Sequence, residues 1–194
     1  LRTGVALIAA ALGVGLVFSM AMVYYSLPAV PAWNTWVTPA SFFTTTLLLG
    51  ALAISAAFVA AYAYLNIRNQ AQSEKQRAIL AITLRWMALI SLVMLGLHFV
   101  IQPLYLAYLA VSGPTAEVSA SILIRQFVGL FATRQVLLFL GAGVFSLFTY
   151  MVARDAKNFR LVSTLAYTAF ALVLVGEVIG RYLFYASFAR IGPL

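Results

Sequence analysis

"LVSTLAYTAFALVLVGEVIGRYLFY", residues 161–185, carries charge only at Glu177 and Arg181. A helix rising 1.5 Å per residue covers a hydrocarbon core of ~30 Å in about twenty residues, and this stretch is long and apolar enough to do so. A strand of a membrane barrel would instead alternate apolar and polar residues over about ten positions, and nothing here alternates. The segment therefore reads as a membrane-spanning helix. Four similar stretches precede it, at about 3–25, 40–65, 78–100 and 135–152. Together they predict an all-α integral membrane protein, with residues 1–194 forming one transmembrane bundle domain of five crossings.

Composition agrees with that reading. The chain is 64% hydrophobic and 8% charged, with a mean hydropathy of +1.03, whereas roughly a quarter of residues are charged in a soluble domain. The net charge of +8 does not point to nucleic acid, because the basic residues are scattered singly near helix ends and form no basic face. Cysteine is absent, so the chain offers neither a disulfide nor thiolate ligands for an iron–sulfur cluster. The sequence opens on Leu1 and is apolar by Gly4, without the features of a signal peptide. This predicts further N-terminal sequence before residue 1.

The connections carry topology. In "SLPAVPAWNTWVTP", residues 26–39, Pro28, Pro31 and Pro39 stop helix propagation, while Trp33 and Trp36 suit a headgroup boundary. That loop is uncharged. By contrast, Arg68, Lys75 and Arg77 follow the second span, and Arg154, Lys157 and Arg160 follow the fourth. Positive residues favour the cytoplasmic side, so these two loops are expected there and the Trp-bearing loop outside. Ser73 and Gln76 have capping-box spacing for the third helix. That helix is expected to continue past a kink at Pro103. Glu117, Arg125 and Arg134 make the segment 112–135 read as an interfacial helix leading into the fourth span.

Few residues can carry chemistry. A single histidine, His98, is too few for an intrinsic two-haem site, and the scarcity of His, Asp, Glu and Cys speaks against a bound metal. Counting about 1.5 Å per residue from the basic ends, Glu177 lies about 25 Å from Arg160 and His98 about 30 Å from Arg77, in the half of the bilayer near the Trp loop. Arg134 starts the fourth span on that side, and Gln102, Tyr105, Tyr182 and Tyr185 add polar groups. An ionised side chain near mid-membrane costs roughly 2.5–3.5 kcal/mol, so Glu177 needs a partner or a hydrated cavity. Arg181 stands four residues on, the favourable order for an ion pair on one helix face. Two readings follow: a structural ion pair, or a proton acceptor for a hydroquinone with Arg181 holding the carboxylate ionised. A lone histidine is commonly a hydrogen-bonded core residue, and Gly176 and Gly180 have the spacing of a close helix contact.

"VPAWNTWVTPASFF", residues 30–43, and "GEVIGRYLFY", residues 176–185, resemble paired signatures of the membrane-anchor subunit of bacterial dimethyl sulfoxide reductase, within the wider polysulfide- and nitrite-reductase anchor group. The resemblance implies an eight-helix bundle in a bacterial cytoplasmic membrane, of which this chain is the C-terminal five helices. It further implies a subunit that binds no haem, oxidises menaquinol, and passes electrons to an iron–sulfur subunit that feeds a molybdopterin catalytic subunit. The family's quinol-binding histidine belongs to the N-terminal helices, so His98 does not inherit its role. The expected quinol-site residues are Glu177, Arg181, His98, Arg134 and Gln102, with Trp33, Trp36 and Pro39 as candidates for partner docking. Other expectations to test are a secondary transporter, whose hint would be a helix broken at Pro103, and a passive anchor without its own site.

Overall fold

The computed structural model describes residues 2–67, 74–153 and 159–189. Its long helices are α1 (Arg2–Tyr25), α2 (Val37–Ile67), α3 (Glu74–Val111) and α7 (Phe159–Ala186). The fourth crossing, Val128–Val152, is composite: α5 (Val128–Leu138), a π-helical stretch Phe139–Phe145, and α6 (Ser146–Val152). Between α3 and α5 lie the short α4 (Pro114–Ser121) and a π-helical turn, Ile122–Gln126. Among the described residues, five helices are long and apolar enough to cross a membrane. The expected capping box at Ser73, and the basic residues Arg68, Arg154 and Lys157, lie outside the described residues.

Three element boundaries differ from the sequence expectation. Helix α2 begins at Val37, ahead of Ala40, because a proline within the first helical turn gives up only an N–H that would have no intrahelical partner. Helix α3 continues through Pro103, as expected, and ends at Val111 instead of near Val100. The segment 112–135 holds α4, the π-helical turn and the first part of α5 instead of one interfacial helix. Gly113 reverses the chain at φ 113°, a conformation that costs glycine little, and the fourth crossing starts at Val128, seven residues before Gln135. Arg134 and Gln135 read as a membrane boundary because they are polar, yet both lie within the crossing with partners on other helices.

Four crossings close a ring in which α2 packs on α3 and α7, α3 packs on α6, and α5 packs on α7. Helix α1 lies outside the ring against α2, with Ala21 its buried position. Apolar layers fill the ring. Val59, Leu84 and Val162 lie at the basic end, Leu48, Leu138 and Val173 in the middle, and Leu109, Leu123 and Leu183 beneath the Trp33 loop. The fourth crossing and α7 come very close at Gly141, where an added Cβ would lie 2.9 Å from the Ala169 carbonyl oxygen.

The loop 26–36 folds inward as a cap on the ring. Trp33 stacks on Phe184 with ring centroids 5.4 Å apart, and its Nε1–H donates to the Phe184 carbonyl at 3.0 Å. Tyr105 donates to the Ala32 carbonyl at 2.9 Å. Asn34 donates to the Tyr25 carbonyl. Trp33→Ala removes a stacked, hydrogen-bonded indole and is expected to cost about 2–3 kcal/mol, below the range for a fully enclosed aromatic because Trp33 is half-buried. The check is the thermal unfolding midpoint of the purified chain in detergent; a midpoint equal to the parent's would mean that the loop is not part of the folded core.

Candidate functional site

Between the middle apolar layer and the cap lies a polar layer, and there the ring opens into a cleft. The five residues expected from sequence, His98, Gln102, Arg134, Glu177 and Arg181, all line it, together with Tyr105. They come from three helices: α3 carries His98 and Gln102, α5 carries Arg134, and α7 carries Glu177 and Arg181. Helix α2 closes the fourth side and contributes Thr45. Sequence reasoning passed over Thr45, since a threonine in an apolar helix normally bonds its own backbone.

The ion pair is not the one that helical spacing indicated. Glu177, 5% exposed, accepts from Arg134 Nη2 at Oε2 over 3.4 Å, and Thr45 Oγ1 lies 3.4 Å from the same oxygen. Arg181 instead places its guanidinium carbon 3.9 Å from the centroid of the Phe42 ring, a cation–π contact. The reason is geometric. Residues four apart can face each other on an isolated helix, but here Glu177 is turned into the ring, where a guanidinium from the neighbouring helix reaches it. Arg134 has room there because position 180 is glycine: a Cβ at Gly180 would collide with the Arg134 guanidinium, 2.8 Å from Cζ. Gly176, one turn earlier, seats Leu137 and Leu138 in the same seam.

The cleft's polar groups are only partly used by one another. Arg134 Nη1 reaches Gln102 Oε1 at 3.5 Å, which is a weak contact. Glu177 Oε1 and Arg134 Nε are buried with no protein hydrogen-bond partner, although buried polar atoms are normally satisfied by protein, water or ligand. His98, 6% exposed, has Nε2 3.2 Å from Gln135 Oε1, an N–H···O bond when the ring carries its proton at Nε2. In that tautomer Nδ1 is the nitrogen left to take up a proton. Gln135 was read as a span boundary, so its pairing with His98 is visible only in the fold. Two arginines against one carboxylate also leave an excess of positive charge, which favours an anionic form of whatever enters.

Other candidates lie elsewhere. Tyr182 and Tyr185 face outward, and Tyr185 pairs its hydroxyl with that of Tyr24 at 2.7 Å. Of the docking candidates, Trp33 is engaged by Phe184 within the chain, Pro39 is half-buried in the first turn of α2, and Trp36 is 56% exposed. Trp33 therefore serves the chain's own core, and Trp36 is the aromatic the loop presents outward. Among the described residues, no three of His, Cys, Asp and Glu come together as metal ligands.

Residues 1–187 match the family described as DMSO reductase anchor subunit (DmsC). The chain belongs to that family. It is 30% identical over 196 residues to the C subunit of the anaerobic dimethyl sulfoxide reductase of Escherichia coli (strain K12), an alignment that spans 99% of this chain and 59% of that relative. This DmsC-family chain thus corresponds to about three-fifths of the length of the curated relative it matches. No solved structure matches it. Family and helices together make it a multi-pass protein of the bacterial inner membrane.

Proposed function

We propose that this chain is part of the membrane anchor of a molybdenum oxidoreductase complex, and that its polar cleft binds and oxidises a quinol, menaquinol in the first instance. The observation that carries the reading is the Glu177–Arg134 pair: a carboxylate and a guanidinium buried among transmembrane helices, each with a further buried atom that no protein group satisfies. Membership of a dimethyl sulfoxide reductase anchor family supports the choice of complex. In this reading an iron–sulfur subunit and a molybdopterin subunit are the partners, and they hold the metal centres.

The chemistry assigned to these residues is proton handling. Oxidising a quinol to a quinone breaks two O–H bonds and releases two protons and two electrons. Glu177 Oε1 accepts the first proton. Arg134 and Arg181 stabilise the quinol anion. The second proton leaves to water at the mouth of the cleft, and His98, held by Gln135, is a hydrogen-bonding wall of the site. The electrons leave for the iron–sulfur subunit.

A passive anchor would not need unsatisfied buried charge, which is costly in a bilayer. The transporter alternative loses its one hint, because α3 runs unbroken through Pro103.

Glu177→Gln tests the proposal. The amide keeps the shape and still accepts from Arg134, but it cannot take a proton. Quinol-dependent reduction by the assembled, membrane-bound complex is expected to fall about 10²–10⁴-fold, as for loss of a general base, while the amount of assembled complex stays the same. Turnover within twofold of the parent would mean that the pair is structural.

A further inference from the structure

A second opening adjoins the cleft on the outside of the ring. It is an open groove between α2 and α7, and Thr45, Glu177 and Arg181 line both spaces. Beyond those three residues the groove is almost wholly apolar, with Leu49, Gly50 and Ala53 on α2 and Phe170, Leu174 and Val178 on α7. From Thr45 to Ala53 it follows the helix for eight residues, about 12 Å. It starts at the level of the polar layer and runs away from the Trp33 cap, toward the middle of the crossing. Gly50 lines the groove, and a Cβ added there meets nothing within 4 Å, so a larger side chain has room to enter it.

A polar chamber joined to an apolar channel through a shared carboxylate and guanidinium fits an amphiphile with a small polar head and a long hydrocarbon chain. We infer that the α2–α7 groove holds the isoprenoid chain of the quinol whose ring occupies the cleft, and that Thr45, Glu177 and Arg181 form the doorway between ring and chain. This rests on the quinol reading of the cleft. One observation favours a prenylated quinol over a phospholipid acyl chain: the groove runs from the buried polar layer toward the bilayer centre, so a phospholipid would have to bring its charged headgroup into the membrane interior to occupy it.

Gly50→Leu, made in the full-length chain of the assembled complex, is the test. The leucine fills the groove while leaving the cleft's polar groups in place. Two substrates are compared: a long-chain menaquinol and a naphthoquinol without a side chain. The expected result is a fall of at least tenfold in the ratio of kcat/KM for the prenylated substrate to that for the tail-less one. An unchanged ratio, whether both rates persist or both collapse, overturns the inference. A naphthoquinone carrying a photoreactive azide at the end of a short isoprenoid chain supplies a second readout. Crosslinks to Leu49, Phe170 or Leu174 that excess menaquinone displaces support the groove. Crosslinks on other helices, or crosslinks displaced by phosphatidylglycerol and not by menaquinone, overturn it and identify a helix or a lipid as the occupant. The two levels separate cleanly. If Glu177→Gln leaves both substrates untouched, the quinol site itself fails; if Glu177→Gln abolishes both and Gly50→Leu does not discriminate, only the groove fails.

Discussion

Arg134→Met is expected to abolish accumulation of folded chain in the membrane, and the double substitution Arg134→Met with Glu177→Leu is expected to restore it without restoring quinol oxidation. The single change strands the Glu177 carboxylate, whose side chain is 7% exposed and whose ion-pair partner among the described residues is Arg134. Breaking one side of a buried pair costs about 3–5 kcal/mol, because the remaining charge has been taken from water, and here it keeps only the Thr45 hydroxyl at 3.4 Å. That is a large fraction of the ~5–15 kcal/mol by which a protein is stable. Arg181 does not take over without giving up its place on Phe42. Replacing both members by apolar groups of similar volume is neutral or stabilising in comparable buried pairs, so the fold returns while the proton acceptor does not. Membrane-fraction yield and the detergent unfolding midpoint measure the first effect, and quinol-dependent turnover measures the second. A double variant as unstable as the single one would show that the layer is held by something other than this pair.

The second large effect belongs to a position with no chemistry. At Gly141 an added Cβ would lie 2.8 Å from Val173 Cγ2, 2.9 Å from the Ala169 carbonyl oxygen and 3.1 Å from Leu172 Cβ. A side-chain tip can rotate aside, but a backbone carbonyl in the middle of α7 cannot, so the two helices must part. Gly141→Val adds two further methyl groups and is expected to destabilise by about 3 kcal/mol, the upper end for an overpacked core. The same position is a control on mechanism when compared with Gly143, where the nearest atom, 3.2 Å from an added Cβ, is the movable end of Leu95. Gly143→Ala is therefore expected to cost under about 1 kcal/mol. Thermal unfolding of the two variants side by side decides the matter; equal losses would locate the effect in glycine's backbone freedom and not in helix approach. Because Arg134 reaches Glu177 across the same seam, Gly141→Val is also expected to lower quinol-dependent turnover by moving Arg134 away from the cleft.

Much of this was legible along the chain. Apolar length specified five crossings, since a bilayer leaves a helix no polar solvent and its backbone must bond internally. The depth count brought His98, Gln102, Arg134, Glu177 and Arg181 to one level, because rise per residue is a constant of the helix. The family signature at residues 30–43 and 176–185 was readable for the same reason, being a local run of residues. What a helix faces is a different kind of fact. Glu177 has the same neighbours in sequence whether it pairs with Arg181 or with Arg134, and only the packing of α5 against α7 at Gly176 and Gly180 selects Arg134. The same holds for Thr45 as the fourth wall, for Gln135 against His98, and for Trp33 turned inward on Phe184. Local composition and length determine which segments cross and how deep each residue lies. Rotation of each helix about its axis is set by contacts between residues far apart in the chain, so the partners in the cleft belong to the tertiary structure alone.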